Sequence, residues 1–246
     1  MIEVQQLTKS YGSFQAVQGI SFSIKPGEIF GFLGMNGAGK TTTLRILAGI
    51  LLPDSGSVKV FGEDLLAHPL RVKAMTGYIP DRPHLYSKLT GREFLQFVAD
   101  LYGVDGATAN RRSNELLEQY ALTEWAGELI ESYSHGMKQR LATCAALLHS
   151  PKFLIIDEPM VGLDPHGALL LKKALKSYVT NGSAVILSTH SLNVAEELSD
   201  RVAIIHHGSI LTMGTIQEIR NHTGKEDKNL EGLFLELTSS AMGALS

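Results

Sequence analysis

A single cysteine, Cys144, leaves the chain without a partner for an internal disulfide and fits a reducing compartment. Its flanks, Ala142 and the run Ala145 to Leu148, point to a packing role for the thiol rather than a reactive one. Long hydrophobic runs are also missing. No stretch approaches the roughly 20 apolar residues needed to cross a bilayer, so any membrane task implies docking onto another protein. Met1 to Ser10 has no basic segment leading into an apolar run, and no secretory signal is expected there. Nor is there an excess of positive charge: the net charge of −3 gives no electrostatic footprint for nucleic acid. Internal repeats and low-complexity blocks are absent. What remains is a chain of 246 residues, 44% hydrophobic and 19% charged, long enough for one large α/β domain or a core domain with an insert.

Short strands separated by turn signals fill the first third. Ile2 to Leu7 and Ala16 to Ile24 carry alternating apolar positions, clearest at Ile20, Phe22 and Ile24. Pro26-Gly27 is a turn, and Glu28 to Leu33 is a nearly continuous apolar run, as in a strand buried on both faces. Thr41 to Ile50 has helical spacing at Leu44, Ile46, Leu47 and Ile50. Pro53 to Gly56 closes that unit before a strand over Ser57 to Phe61. From about Leu89 to His149 the pattern is helical. Thr90 with Glu93 reads as a capping box for a helix through Tyr102, followed by helices over Asn110 to Tyr120 and Met137 to His149. Strand runs return at Phe153 to Ile156, Ala184 to Leu187 and Val202 to Ile205. Strands alternating with helices argue for an α/β fold with a mostly parallel sheet, and the helical middle argues for an inserted subdomain. His222 to Asn229 reads as a linker, Leu230 to Leu237 as a short amphipathic piece, and Ser239 to Ser246 as a frayed end.

Gly34-Met-Asn-Gly-Ala-Gly-Lys-Thr-Thr42 satisfies G-x-x-x-x-G-K-[ST] in full, between an apolar strand and a helix. Asn36, Gly37, Ala38 and Gly39 are placed to wrap backbone N–H groups around phosphate oxygens, where side chains would be in the way. Lys40 supplies a point charge for the β- and γ-phosphates of ATP. Thr41 offers a hydroxyl to Mg²⁺, Thr42 follows it, and the helix presents its positive end to the same phosphates. Phe153 to Glu158 is an apolar strand ending in two carboxylates. Alone it would be a buried strand with a solvated acidic turn; beside a phosphate loop, Asp157 is placed to hold Mg²⁺ and Glu158 to orient or deprotonate an attacking water. Ser134 and Gly136 open the helix near Met137. A hydroxyl, free N–H groups and a helix dipole make an anion site there, although Ser134 alone reads as a plain N-cap.

The order of these pieces resembles the ATP-binding cassette (ABC) transporter ATPases over Ile2 to Arg220. It runs glycine loop, helical insert, Ser-x-Gly helix start, apolar-Asp-Glu, Gly162-Leu163-Asp164, then strand-terminal His190. Tyr133 to Met137 occupies the place of the family signature Leu-Ser-Gly-Gly-Gln, with His135 in place of a glycine and Met137 in place of a glutamine. The run Ser134 to Leu141 looks like the variant of bacterial export-type systems.

The resemblance implies a P-loop NTPase core with a mostly parallel sheet, an N-terminal antiparallel β subdomain and an α-helical insert at about 82–149. The cassette would span 1–221, with 222–246 a short C-terminal extension. It implies ATP clamped between two cassettes head to tail, Ser134 and Gly136 of one facing Lys40 of the other, and Asp164 at the interface. His190 matches the switch histidine beside the γ-phosphate. Tyr11 is offered as an adenine platform, with Val17 on the same face. Asp81, in Tyr78-Ile-Pro80-Asp81, stands where the family carries glutamine and is expected on the metal side.

Three functions stay open on these residues. The first is an ATP-hydrolysing subunit that drives a separate transmembrane permease, with export favoured by the Ser134 to Leu141 variant. That reading places it on the cytoplasmic face of the cell membrane, beside a second cassette that is a copy or a paralogue. Pro83 to Leu89 is then the expected permease contact, with Phe94 and Phe97 in the core of the insert. The second is a non-transport ABC ATPase acting on nucleic acid or the ribosome, for which neither a second cassette, a coiled-coil insert nor a basic linker is visible. The third is a P-loop kinase, for which adjacent Asp157 and Glu158 fit less well than they fit water activation.

Overall fold

A computed structural model of the chain describes residues 1–160 and 165–222. The chain opens with a hairpin of β1 (Ile2–Tyr11) and β2 (Phe14–Ile24), whose turn sets Tyr11 opposite Phe14. Next come β3 (Ile29–Leu33), the glycine loop and α1 (Lys40–Leu47). β4 (Ser55–Val60) pairs antiparallel with the free side of β1, and β5 (Glu63–Asp64) pairs with β4. α2 (Pro69–Ala74) starts on proline, which needs no N–H partner at that position, and leads into β6 (Thr76–Ile79).

Three helices follow: α3 (Gly91–Leu101), α4 (Gly106–Gln119) and α5 (His135–Leu147). The capping box at the start of α3 is complete: Glu93 N–H donates to Thr90 Oγ1 at 3.2 Å and Thr90 N–H to Glu93 Oε2 at 2.8 Å. The remainder is β7 (Phe153–Asp157), α6 (Pro165–Thr180), β8 (Ala184–Thr189), α7 (Leu192–Leu198), β9 (Arg201–His206), β10 (Ser209–Gly214) and α8 (Ile216–His222).

Two sheets result. A four-stranded antiparallel sheet has the order β2-β1-β4-β5, and a six-stranded sheet has the order β10-β9-β3-β8-β7-β6. In the second sheet β9, β3, β8, β7 and β6 run parallel and β10 returns antiparallel to β9. Every residue of β3, β7 and β8 is buried, as a strand covered on both faces must be.

The main core lies where the two sheets and α1 meet. Phe22 and Phe30 stack there with ring centres 5.5 Å apart, and Phe32 leans on Phe22. A second core backs the parallel sheet against α6 and α7 through Leu154, Leu171, Leu175 and Leu187. The helices α3 to α5 enclose a core of their own, with Phe94, Leu95, Leu117, Leu141 and Cys144 inside. Each fully buried leucine in it contributes about 1.5–3 kcal/mol. Burial pushes the Cys144 thiol pKa well above its ordinary value, so this sulfur packs rather than reacts.

Candidate functional site: a phosphate loop at the edge of the parallel sheet

Four neighbouring strands end at one edge of the six-stranded sheet, and their registers bring the chemistry together. Leu33 pairs with Thr189, so the glycine loop leaves β3 beside the residue that precedes His190. Asp157 pairs with Ser188, and Ile156 with Ile79, which puts Asp157, Glu158 and the Pro80-Asp81 step next in line. Ligands bind at the carboxyl ends of parallel strands because helix N-termini and loops converge there.

The glycine loop is held tightly from below. Gly39 has φ of 103°, and a Cβ on it would sit 2.3 Å from the Ala16 carbonyl oxygen, so only glycine fits. Ala38 is buried, and its carbonyl accepts from Gly208 N–H at 3.0 Å. Lys40 is 6% exposed and its ammonium donates to Gly34 O at 2.7 Å and Met35 O at 3.2 Å. Burial lowers its pKa, opposed by the charges of Glu158 and Asp157.

A cleft of about 240 Å³ runs over this loop. Asn36, Gly37, Lys40, Thr41 and Thr42 line it, together with Asp81, Asp157 and Glu158. Tyr11 and Phe14 also line it, both exposed, and each offers an aromatic face to a planar base. Val17 does not lie on this face: it is fully buried in the main core, and Ala16 lines the cleft instead. The side chains of β2 alternate, so a neighbour one residue away faces the other side.

The carboxylates differ in setting. Asp157 is 3% exposed and accepts from the Ser188 hydroxyl on the adjacent strand. Glu158 has φ of 51°, a left-handed conformation rare for a side-chain-bearing residue, and its N–H donates to Ser188 O at 3.1 Å. That turn throws its side chain toward His190 and Lys40. Oε1 lies 2.8 Å from His190 Nδ1 and 3.9 Å from Lys40 Nζ. A hydroxyl at Thr41 with carboxylates at Asp157 and Asp81 is an all-oxygen donor set, suited to a hard divalent cation. No three His, Cys, Asp or Glu side chains among the described residues form a metal cage, so phosphate oxygens and water would supply the remaining ligands.

Ser134 is the N-cap of α5, its Oγ accepting from Met137 N–H at 3.3 Å. Neither Ser134 nor Gly136 lines the cleft over Lys40. Their neighbours His135 and Lys138 open instead onto a broader cleft of about 640 Å³ that also holds Asn36, Asp81, Glu158 and His190. Asp164, with Gly162 and Leu163, lies outside the described residues, as does 223–246 with the linker, amphipathic piece and frayed end expected there. Sequence reasoning missed Phe14, Ala16, Lys138 and Ser188. Phe14 had a signal, its place across a tight turn from Tyr11, and Lys138 had one too, a single helical turn after Ser134. Ser188 had none, because its partner is fixed by strand pairing.

A family model described as ABC transporter matches residues 17–161. The chain belongs to the ABC transporter family. It is an ATPase cassette of that family, built to bind and hydrolyse ATP. The chain is 43% identical to the uncharacterized ABC transporter ATP-binding protein YxlF of Bacillus subtilis over 89% of its own length and 72% of that protein's. It is 39% identical to the linearmycin resistance ATP-binding protein LnrL of the same organism, covering 91% and 72%. A solved ATP-binding subunit of an ABC transporter superposes with a TM-score of 0.92 at 34% identity, covering 97% of this chain and 99% of that one. Among the described residues no helix is long and apolar enough to cross a membrane.

Proposed function

We propose that this ABC cassette drives a separate transmembrane permease in the export direction, working head to tail with a second cassette, either a copy of itself or a paralogue. The observation that carries the pairing is the split between its two phosphate-binding elements. The loop from Gly34 to Thr42 carries one half and lines the cleft over Lys40; Ser134 and Gly136 at the capped head of α5 carry the other and do not line that cleft. A second chain brings its Ser134 to the phosphates held by Lys40, adding a hydroxyl and a helix dipole where no arginine finger is needed.

Within each site the phosphates draw the Lys40 ammonium from the carbonyls of Gly34 and Met35. Tyr11 and Phe14 receive the adenine. Thr41, Asp157 and Asp81 would hold Mg²⁺, whose charge would offset that of the β- and γ-phosphates. Glu158, fixed by His190, orients and accepts a proton from the attacking water, while His190 stays beside the γ-phosphate. Export is supported by the Ser134 to Leu141 run and by similarity to a relative named for linearmycin resistance.

A groove of about 370 Å³ between the sheet and the helices fits a permease segment. Pro83, His84 and Leu85 form one wall, and Phe94, Val98 and Tyr102 another. Phe94 belongs to the helical core, while Phe97 is half exposed beneath Tyr86, whose ring meets it edge-on at 5.4 Å. This position would keep the cassette on the cytoplasmic face of the membrane.

Light scattering on Glu158→Gln with saturating ATP and Mg²⁺ tests the pairing. A stable dimer is expected, and a monomer under those conditions overturns it. Membrane fractions enriched for the chain only when a multi-span protein is co-expressed are the matching test of the permease; retention on ribosomes or RNA instead would replace it.

A further inference from the structure

Gln139 lies in α5, 4% exposed, with its Nε2–H donating to the Pro80 carbonyl at 3.1 Å. Its Oε1 is buried and has no hydrogen-bond partner among the described residues. A buried amide oxygen without a donor works against the folded state. An apolar side chain of similar shape would fill the same space without that cost, so stability alone does not account for a glutamine here.

The acceptor it holds is informative. The Pro80 carbonyl and the Asp81 N–H belong to one planar peptide unit, so fixing the oxygen fixes how Asp81 leaves the end of β6. Asp81 lines both the cleft over Lys40 and the broader cleft beside His135 and Lys138. Gln139 also rides on the helix whose first turn carries Ser134, His135 and Gly136. From Ser134 to Gln139 the helix rises only about 7.5 Å, at 1.5 Å per residue, through continuous backbone hydrogen bonds. One side chain therefore ties the Asp81 peptide to the head of α5.

We propose that Gln139 is a positioning residue that couples the two halves of the ATP site: it carries displacement of the Asp81 segment by bound nucleotide to the Ser134–Gly136 head of α5. The tether rests on the head-to-tail reading only for its consequence in the paired state. Its action within one chain does not require a partner. The nucleotide contacts of Lys40 and the glycine loop lie elsewhere and are untouched by it.

Gln139→Met keeps length and volume while removing both polar atoms. Hydrogen–deuterium exchange is followed on dilute wild type and variant, with and without ATP and Mg²⁺, alongside thermal melting and steady-state turnover. In wild type, nucleotide is expected to change exchange at residues 77–82 and in the first turn of α5 together. In the variant the change at 77–82 remains, the α5 response is lost, kcat falls about tenfold, KM for ATP stays within twofold, and Tm does not fall. An unchanged α5 response with unchanged kcat overturns the tether, and so does a drop in Tm accompanied by weaker ATP binding, which would make Gln139 merely structural. A wild-type α5 response together with failure of Glu158→Gln to dimerise would sink the head-to-tail reading and leave the tether standing.

Discussion

Ser188 faces Asp157 across the parallel pair β7–β8, and its hydroxyl donates to Asp157 Oδ1 in the buried floor of the site. The carboxylate is 3% exposed, so this hydroxyl replaces water that Asp157 gave up on folding. Ser188→Ala is expected to lower stability by about 1.5–3 kcal/mol, the usual loss for a hydrogen bond to a charged group. Urea denaturation measures it, and a midpoint unchanged from wild type would refute the assignment.

The two central glycines of the phosphate loop are expected to respond differently to alanine. Gly37 has φ of 82° with nothing within 4 Å of a Cβ, so Gly37→Ala meets only backbone strain of about 1–2 kcal/mol. Gly39→Ala drives a Cβ to 2.3 Å from Ala16 O, and relief requires moving either the loop or β2. Titration with a fluorescent ATP analogue should show affinity reduced more than tenfold for Gly39→Ala and less than tenfold for Gly37→Ala. The reverse ranking would mean that the loop binds nucleotide in another conformation.

His190 is expected to act on turnover rather than on binding. Its Nδ1 lies 2.8 Å from Glu158 Oε1, while the loop contacts of Lys40 do not involve it. His190→Ala should lower kcat about a hundredfold or more, because Glu158 loses the partner that holds it as general base, with ATP affinity within a few-fold of wild type. Phosphate release against nucleotide titration separates the two. An equal loss in both would make His190 a binding residue.

Acid should weaken the chain through His149. Its ring stacks on Tyr102 with centres 3.7 Å apart, Nε2 faces Thr76 O at 3.2 Å, and Nδ1 is buried without a partner among the described residues. Burial, aided by Arg112, lowers its pKa to about 4, although the hydrogen bond to Thr76 opposes the shift. In the unfolded chain the ordinary value is about 6.5, so as pH falls the unfolded state takes the proton first. Stability from this group is therefore complete above about pH 6.5 and drains away down to pH 4, by about 1–2 kcal/mol once solvent screening is allowed for. Thermal melts of wild type and His149→Phe across that range should show a shallower acid slope in the variant; parallel curves would exclude His149.

Local grammar was largely legible. The apolar run into Gly34, the Thr90–Glu93 box and the Ser134 cap each follow from contacts within a few residues, and each stands where the sequence puts it. Elements that break the simple periods were missed. In β6, Gly77 interrupts the apolar pattern because a Cβ there would meet Ala146 O at 2.6 Å, so helix packing rather than strand propensity chose the residue. α2 is too short to show a helical period, and β10 is half exposed along most of its length, which blurs alternation. The turn expected at Pro53 to Gly56 ends early, since Ser55 and Gly56 already belong to β4.

The phosphate loop, the paired carboxylates and the capped start of α5 follow from the residue order, because each is a short run whose geometry depends on its own backbone. That these runs meet is a consequence of strand pairing and helix packing. The spatial order β3-β8-β7-β6 sets Gly34, His190, Glu158 and Asp81 side by side, although they are scattered along the chain. Hydrophobic period reports which face of a strand is buried and nothing about which strand lies next to it. For the same reason Ser188, Ala16 and the Gln139–Pro80 contact were invisible until the strands were paired and α5 was packed against the end of β6.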